Sequence, residues 1–165
     1  MLYIAIGIYA IAMTIANLTV AAFGPAVTPI NAFLLIGLDL ALRDWLHVRM
    51  KYWQMLLLIA VTGLITYALN TDAGIIAIAS AVAFTAAAVF DWGVFATLKG
   101  SWLKRANASN VVGVAVDSLV FPTIAFGSLM WSIIGMQFIA KVAGGAVWSF
   151  LLAKIGRERN SVEVG

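Results

Sequence analysis

Apolar residues run along the chain in six long blocks, divided by short polar or proline-containing breaks. The blocks predict helices at about 2–23, 29–46, 53–69, 75–98, 111–130 and 132–154. Each is near the roughly 20 mostly apolar residues that a helix needs to cross a bilayer core. The breaks have their own chemistry. Gly24-Pro25 and Pro29 end the first helix, because proline cannot continue a helical hydrogen-bond ladder. Arg43 through Lys51 forms a polar hinge, and Asn70-Thr71-Asp72 a short polar turn. Lys99 through Asn110 is the longest internal loop, and the weakest break falls near Gly127-Ser128. The opening block, Leu2 to Phe23, lacks a basic leader and is long for a signal-peptide core, so it reads as a spanning helix.

Composition sharpens this reading. Of 165 residues, 64% are hydrophobic and 10% charged. Soluble domains are typically about 45–50% apolar and about 25% charged. So few charges cannot make a water-facing surface, and the lipid bilayer must cover much of the protein. The expected fold class is therefore all-α: a polytopic membrane protein with a single transmembrane domain over 1–156 and a short cytoplasmic tail, 157–165.

The basic residues test the number of crossings. Arg43, Arg49 and Lys51 follow the second predicted helix. Lys99, Lys104 and Arg105 follow the fourth, and Lys154, Arg157 and Arg159 follow the sixth. With six crossings all three groups share one side, and the other connections carry no Lys or Arg. The positive-inside rule then puts both termini in the cytoplasm, in a multi-pass protein of the cell (inner) membrane. Trp45, Tyr52, Trp53 and Trp102 sit near the inner helix ends, and Tyr67 and Trp131 near the outer ends. Indole and phenol rings favour those boundaries because one edge is polar.

Several function classes drop out. There is no cysteine, and His47 is the single histidine, so neither a thiolate nor a histidine metal centre is expected. No Walker motif is present, so the chain itself hydrolyses no ATP. No cofactor and no nucleic-acid partner is expected. Asp91 and Asp117 on successive helices resemble the raw material of an intramembrane aspartyl protease. Asp117, however, follows Val114-Ala115-Val116 rather than Gly-x-Gly, and Asp91 follows Phe90 rather than tyrosine. An enzyme is not expected. A channel is disfavoured because no repeated filter-like loop is visible.

Charge inside the apolar blocks is the main functional signal. Asp39, Asp91, Asp117 and Lys141 all fall within predicted spans. A charge at a helix centre costs at least about 2.5–3.5 kcal/mol on insertion scales, so four standing alone would cost on the order of 10 kcal/mol. The three acids each lie about seven residues from the inner end of their helix, roughly 10 Å deep at 1.5 Å per residue. They are therefore expected to meet at one level. Gln137 precedes Lys141 by one turn on the same face. Asn17 and Asn31 add neutral polar groups, and Arg43 lies one turn from Asp39 and can pair with it. An ion-pair network that only fixes packing would need better balance than three acids against one lysine. The excess acid suits a hydrated cavity, a cationic or hydrogen-bond-donating ligand, or a proton-carrying carboxylate.

A resemblance gathers these residues together. The order Ile15-Ala16-Asn17-Leu18, Asn31-Ala32-Phe33, Leu38-Asp39-Leu40 with Arg43, Asp91, Ser109-Asn110-Val111, Val116-Asp117-Ser118, Ile124-Ala125-Phe126-Gly127 and Lys141-Val142 resembles the VUT family of queuosine precursor transporters. It covers most of the chain, and the Asp117-Ser118 block followed by Ile-Ala-Phe is its most specific part. This chain departs from longer members in its short loops and in lacking some aromatic residues around the polar core. The resemblance implies uptake of a 7-deazapurine, 7-cyano-7-deazaguanine (preQ0) or 7-aminomethyl-7-deazaguanine (preQ1). A deazaguanine presents adjacent N1–H and amino donors that one carboxylate can accept together. Asp39, Asp91 or Asp117 can fill that role. Lys141, Gln137, Asn17 or Asn31 can donate to the ring carbonyl or the substituent, and Phe121, Phe90, Trp92 or Phe126 can stack on the base.

Two readings stand beside the importer. One is a substrate-binding subunit of a multi-component uptake system, docked through the small-residue Ala12/Ala16 face of the first helix. The other is an accessory membrane protein whose polar groups only hold helices together. A homo-oligomer is compatible with the sequence and is not dictated by it.

Overall fold

The computed structural model describes the backbone of residues 2–47, 49–99 and 102–162, with side chains left undescribed at Asp44, Trp45, His47, Tyr52, 102–107 and 153–162. Every extended element among the described residues is helical. Helix α1 spans Leu2–Phe23, and a 3-10 turn, Gly24–Val27, reverses the chain. α2 (Thr28–Asn31), a π turn (Ala32–Ile36) and α3 (Gly37–His47) follow without a break as one rod. α4 covers Tyr52–Leu69, α5 Gly74–Thr97, α6 Trp102–Phe126 and α7 Trp131–Val162.

The turns match the chemistry of the breaks. Gly24 and Gly127 both take positive φ, 69° and 68°, a backbone conformation that costs glycine little. Lys51 N–H donates to the Gln54 side chain at 2.7 Å, closing the start of α4. The Asn70 side-chain oxygen accepts from Asp72 N–H at 2.9 Å, an Asx turn that launches the short 3-10 segment Thr71–Ala73.

Four stretches are long and apolar enough to cross a membrane: Leu2–Arg43, Thr71–Thr97, Ala108–Phe126 and Trp131–Leu152. Trp53–Leu69 is a shorter apolar helix. The first stretch holds 42 residues and folds back on itself at Gly24. The outer surface is heavily apolar. Leu64, Ile139 and Phe150 are each about two-thirds exposed or more. A surface of that kind belongs against lipid.

Three helix ends differ from the sequence expectation, one of them the end of α6, which stops at Phe126 rather than at 130 because Gly127 turns the chain with positive φ. The Lys99–Asn110 loop is largely helix, because α6 already starts at Trp102. Ala106 and Ala108 within Leu103–Asn110 favour helix, and Lys104 and Arg105 are themselves good helix formers. α7 likewise continues to Val162, so the expected tail is a helical extension as far as the description reaches.

The rods close into a ring. α1 packs on α4, α4 on α5, α5 on α6, α6 on α7, α7 on the π turn and α3, and α3 returns to α1. At one end Ala5, Tyr9 and Met13 of α1 meet Leu42 and Leu46 of α3 and Met55 and Leu58 of α4 in a buried apolar cluster. Small residues set the close approaches. Ala77, Ala79, Ala83 and Ala87 are buried on α5. Ala12 and Ala16 are also buried, so the face that would have docked a separate subunit is used inside this chain.

Candidate functional site

The ring encloses a pocket of about 460 Å³ of empty space, counted to its open mouth. α1 contributes Met13, Ala16, Asn17 and Val20 to the wall. The α2–α3 rod contributes Thr28, Asn31, Ala32, Ile36 and Asp39. α5 adds Ser80 and Phe84, α6 adds Asp117 and Phe121, and α7 adds Gln137 and Lys141.

The charged wall is built from α6 and α7. Lys141 Nζ lies 2.7 Å from Asp117 Oδ2, with the lysine almost fully buried and the aspartate partly so. The same ammonium donates to Gln137 Oε1 at 3.1 Å, one turn back along α7. It also sits 6.0 Å from the centre of the Phe121 ring, at the edge of cation–π range. Phe121 is held edge-on by Phe126, with ring centres 6.3 Å apart and an interplanar angle of 82°. One turn past Ser118, Pro122 supplies no backbone donor to the Ser118 carbonyl, which loosens the α6 ladder beside the ion pair.

The α3 wall carries the other acid. Asp39 is fully buried, as is Tyr9 of α1, and the phenol lies within electrostatic range of that carboxylate. Arg43, one turn further along α3, places its guanidinium 4.3 Å above the Phe84 ring. That is a good cation–π distance, and it sets a positive charge behind an aromatic pocket wall.

The asparagines are tied into the frame. Asn31 Nδ2 donates to Thr19 Oγ1 at 2.7 Å and to the Ala16 carbonyl at 3.2 Å, fastening α2 to α1. Ser80 Oγ donates to Asn17 Oδ1 at 2.6 Å, fastening α5 to α1. Behind that bond lies a smaller pocket lined by Ile59, Thr62 and Gly63 of α4 and by Tyr9, Met13, Asn17 and Ser80. The Asn17–Ser80 bond thus stands between two cavities.

Seven of the eight expected residues, Asn17, Asn31, Asp39, Asp117, Phe121, Gln137 and Lys141, therefore face one pocket. Asp91 does not. It packs between α5 and α6, where a Cβ on Gly113 would touch its side chain at 3.4 Å, and its Oδ1 is buried there without a hydrogen-bond partner among the described residues. Equal depth along three helices did not make three acids converge, because the rotation of α5 turns Asp91 away. The same rotation puts Phe90 and Trp92 on the outer surface, so neither stacks in the pocket. Sequence reasoning missed Thr28, Ser80 and Phe84. Ser80 and Phe84 lie four residues apart on one α5 face, and a polar residue one turn from an aromatic in an alanine-rich span was the available signal.

A family comparison places this architecture. Residues 2–153 match the sequence profile of the family described as "Putative vitamin uptake transporter". The chain belongs to the vitamin uptake transporter family. Comparison with curated proteins and with solved structures returned no match. As a member of the VUT family, the chain is a multi-pass membrane protein of a transporter class. The matched region includes every pocket residue named above and all of the rods except the last turns of α7. In this VUT chain the central cavity combines two carboxylates, a lysine, three side-chain amides and two phenylalanine rings.

Proposed function

We propose that this VUT protein imports a queuosine precursor, preQ0 or preQ1, across the inner membrane by way of the central pocket. The observation that carries the reading is the pairing of acceptors and donors between aromatic walls. Asp39 and Asp117 offer carboxylate oxygens, Gln137 offers an amide, and Phe84 and Phe121 offer ring faces in the same cavity. A deazaguanine has a flat ring, an N1–H and amino donor pair for a carboxylate, and a carbonyl acceptor beside them. Stacking on aromatic rings is worth about 1–3 kcal/mol per base.

The proposal includes the topology. The six rods cross the membrane, with the Asn70 and Gly127 turns outside and both termini in the cytoplasm. The 42-residue first stretch supplies two crossings because it reverses at Gly24, and the shorter α4 supplies the third. The basic residues at Arg49–Lys51 and Lys99 then lie on the cytoplasmic side.

A thermal-shift titration of detergent-purified protein with preQ0, preQ1, guanine and queuine tests the substrate class. A ligand at about 100 times its dissociation constant stabilises the fold by roughly 2.7 kcal/mol. The expected result is stabilisation by the deazapurines, lost in Asp117→Asn. No shift with any of the four would overturn the substrate assignment. Full uptake in both Asp39→Asn and Asp117→Asn would overturn the site.

A further inference from the structure

Gln137 is almost fully buried, lines the pocket, and has one half of its amide occupied. An ammonium can only donate hydrogen bonds, so the Gln137 atom facing Lys141 must be the carbonyl oxygen. That fixes which way round the amide sits, a choice that is otherwise ambiguous for glutamine. Lys141 is itself held by Asp117 at 2.7 Å, so the orientation is enforced by an ion pair rather than by one soft contact. The consequence is chemical. Nε2, with two protons to donate, is buried and has no hydrogen-bond partner among the described residues. A buried donor without a partner costs free energy, and a ligand acceptor placed there would relieve that cost.

We infer that Gln137 is the specificity-determining residue that reads a hydrogen-bond acceptor on the ligand, and that Lys141 is the positioning residue that turns its NH2 group toward the pocket. The ligand group is the six-membered ring carbonyl of an oxo-purine. An amino group at the same ring position would set donor against donor and be rejected. The Asp117–Lys141–Gln137 chain is then a relay of orientation: a carboxylate holds an ammonium, the ammonium holds an amide oxygen, and the amide nitrogen selects the substrate. This inference rests on the deazapurine reading above and assigns the carbonyl end of that substrate to α7.

The experiment measures dissociation constants of the detergent-purified protein for preQ0 and for the same heterocycle carrying an amino group in place of the carbonyl. The original protein is expected to favour the oxo compound by roughly tenfold to a hundredfold, the range of one well-placed hydrogen bond against an unpaired buried donor. Gln137→Glu keeps the shape and the bond from Lys141 but replaces the donor with an acceptor. It is expected to erase or reverse the preference at pH 8. Gln137→Leu removes both functions and should bring the two affinities together. Lys141→Gln releases the amide to turn over, so it should shrink the preference while Gln137 is still present. An unchanged preference in both Gln137 variants would overturn the inference while leaving the deazapurine pocket standing. Failure of the original protein to bind either compound would overturn both readings.

Discussion

Gly37 and Gly144 meet with bare backbone on both sides: a Cβ added to Gly37 would stand 2.6 Å from the carbonyl carbon of Gly144. A Cβ on Gly144 would in turn run into the carbonyl of Phe33, inside the π turn. The contact presses α7 against the rod that carries Asn31, Ile36 and Asp39, and so sets the width of the pocket on that side. Gly144→Ala is therefore expected to destabilise the fold by about 1–3 kcal/mol or more, the usual cost of overpacking. Gly145→Ala is the control, because its Cβ would meet Leu40 Cδ1 at an ordinary 3.8 Å. Melting of the two purified variants should separate them clearly.

The Asp117–Lys141 pair makes a second prediction. Removing one partner of a buried pair leaves an uncompensated charge and typically costs about 3–5 kcal/mol, whereas replacing both can be nearly neutral. Lys141→Met should be strongly destabilised, and Lys141→Met with Asp117→Asn should regain much of the loss. Uptake should fail in both. A double variant no more stable than the single one would refute this account of the pair.

Aromatic walls and aromatic surface should behave differently. Phe84→Leu and Phe121→Leu remove rings that line the pocket, and each is expected to weaken deazapurine binding by about 1–3 kcal/mol. Phe90→Leu and Trp92→Leu change rings on the outer surface and should leave the dissociation constant nearly unchanged. Equal losses in all four would mean that the pocket is elsewhere.

Asp91 gives a prediction of indifference in binding. It lies outside the pocket, so Asp91→Asn should alter ligand affinity by no more than about twofold, the scale of substitutions away from the site. Asp39→Asn should weaken it far more. Isothermal titration of the two variants side by side decides between them.

The chain has no cysteine, so single introduced thiols report topology cleanly. Asp72→Cys and Ser128→Cys should react with an impermeant maleimide on intact cells. Lys51→Cys and Lys99→Cys should react only after permeabilisation. Labelling of Lys51→Cys from outside would break the six-crossing arrangement.

The sequence by itself determined the helical segments and most of their ends. Runs of apolar residues specify helix in lipid because every backbone group must be satisfied within the segment, and Gly24, Asn70 and Gly127 carry the local turn chemistry that stops each run. It also flagged Asp117, Gln137 and Lys141, because a polar or charged group in an apolar span is costly wherever it points. Only the tertiary structure decided which of these groups meet. Helix rotation depends on how whole faces pack, so Asp39 turned inward while Asp91 turned into the α5–α6 contact, and Ser80 and Phe84 entered the pocket unannounced. The π turn at Ala32–Ile36 and the Gly37–Gly144 approach were equally illegible. The glycine approach joins positions more than 100 apart along the chain, and a local pattern holds no record of such a partner.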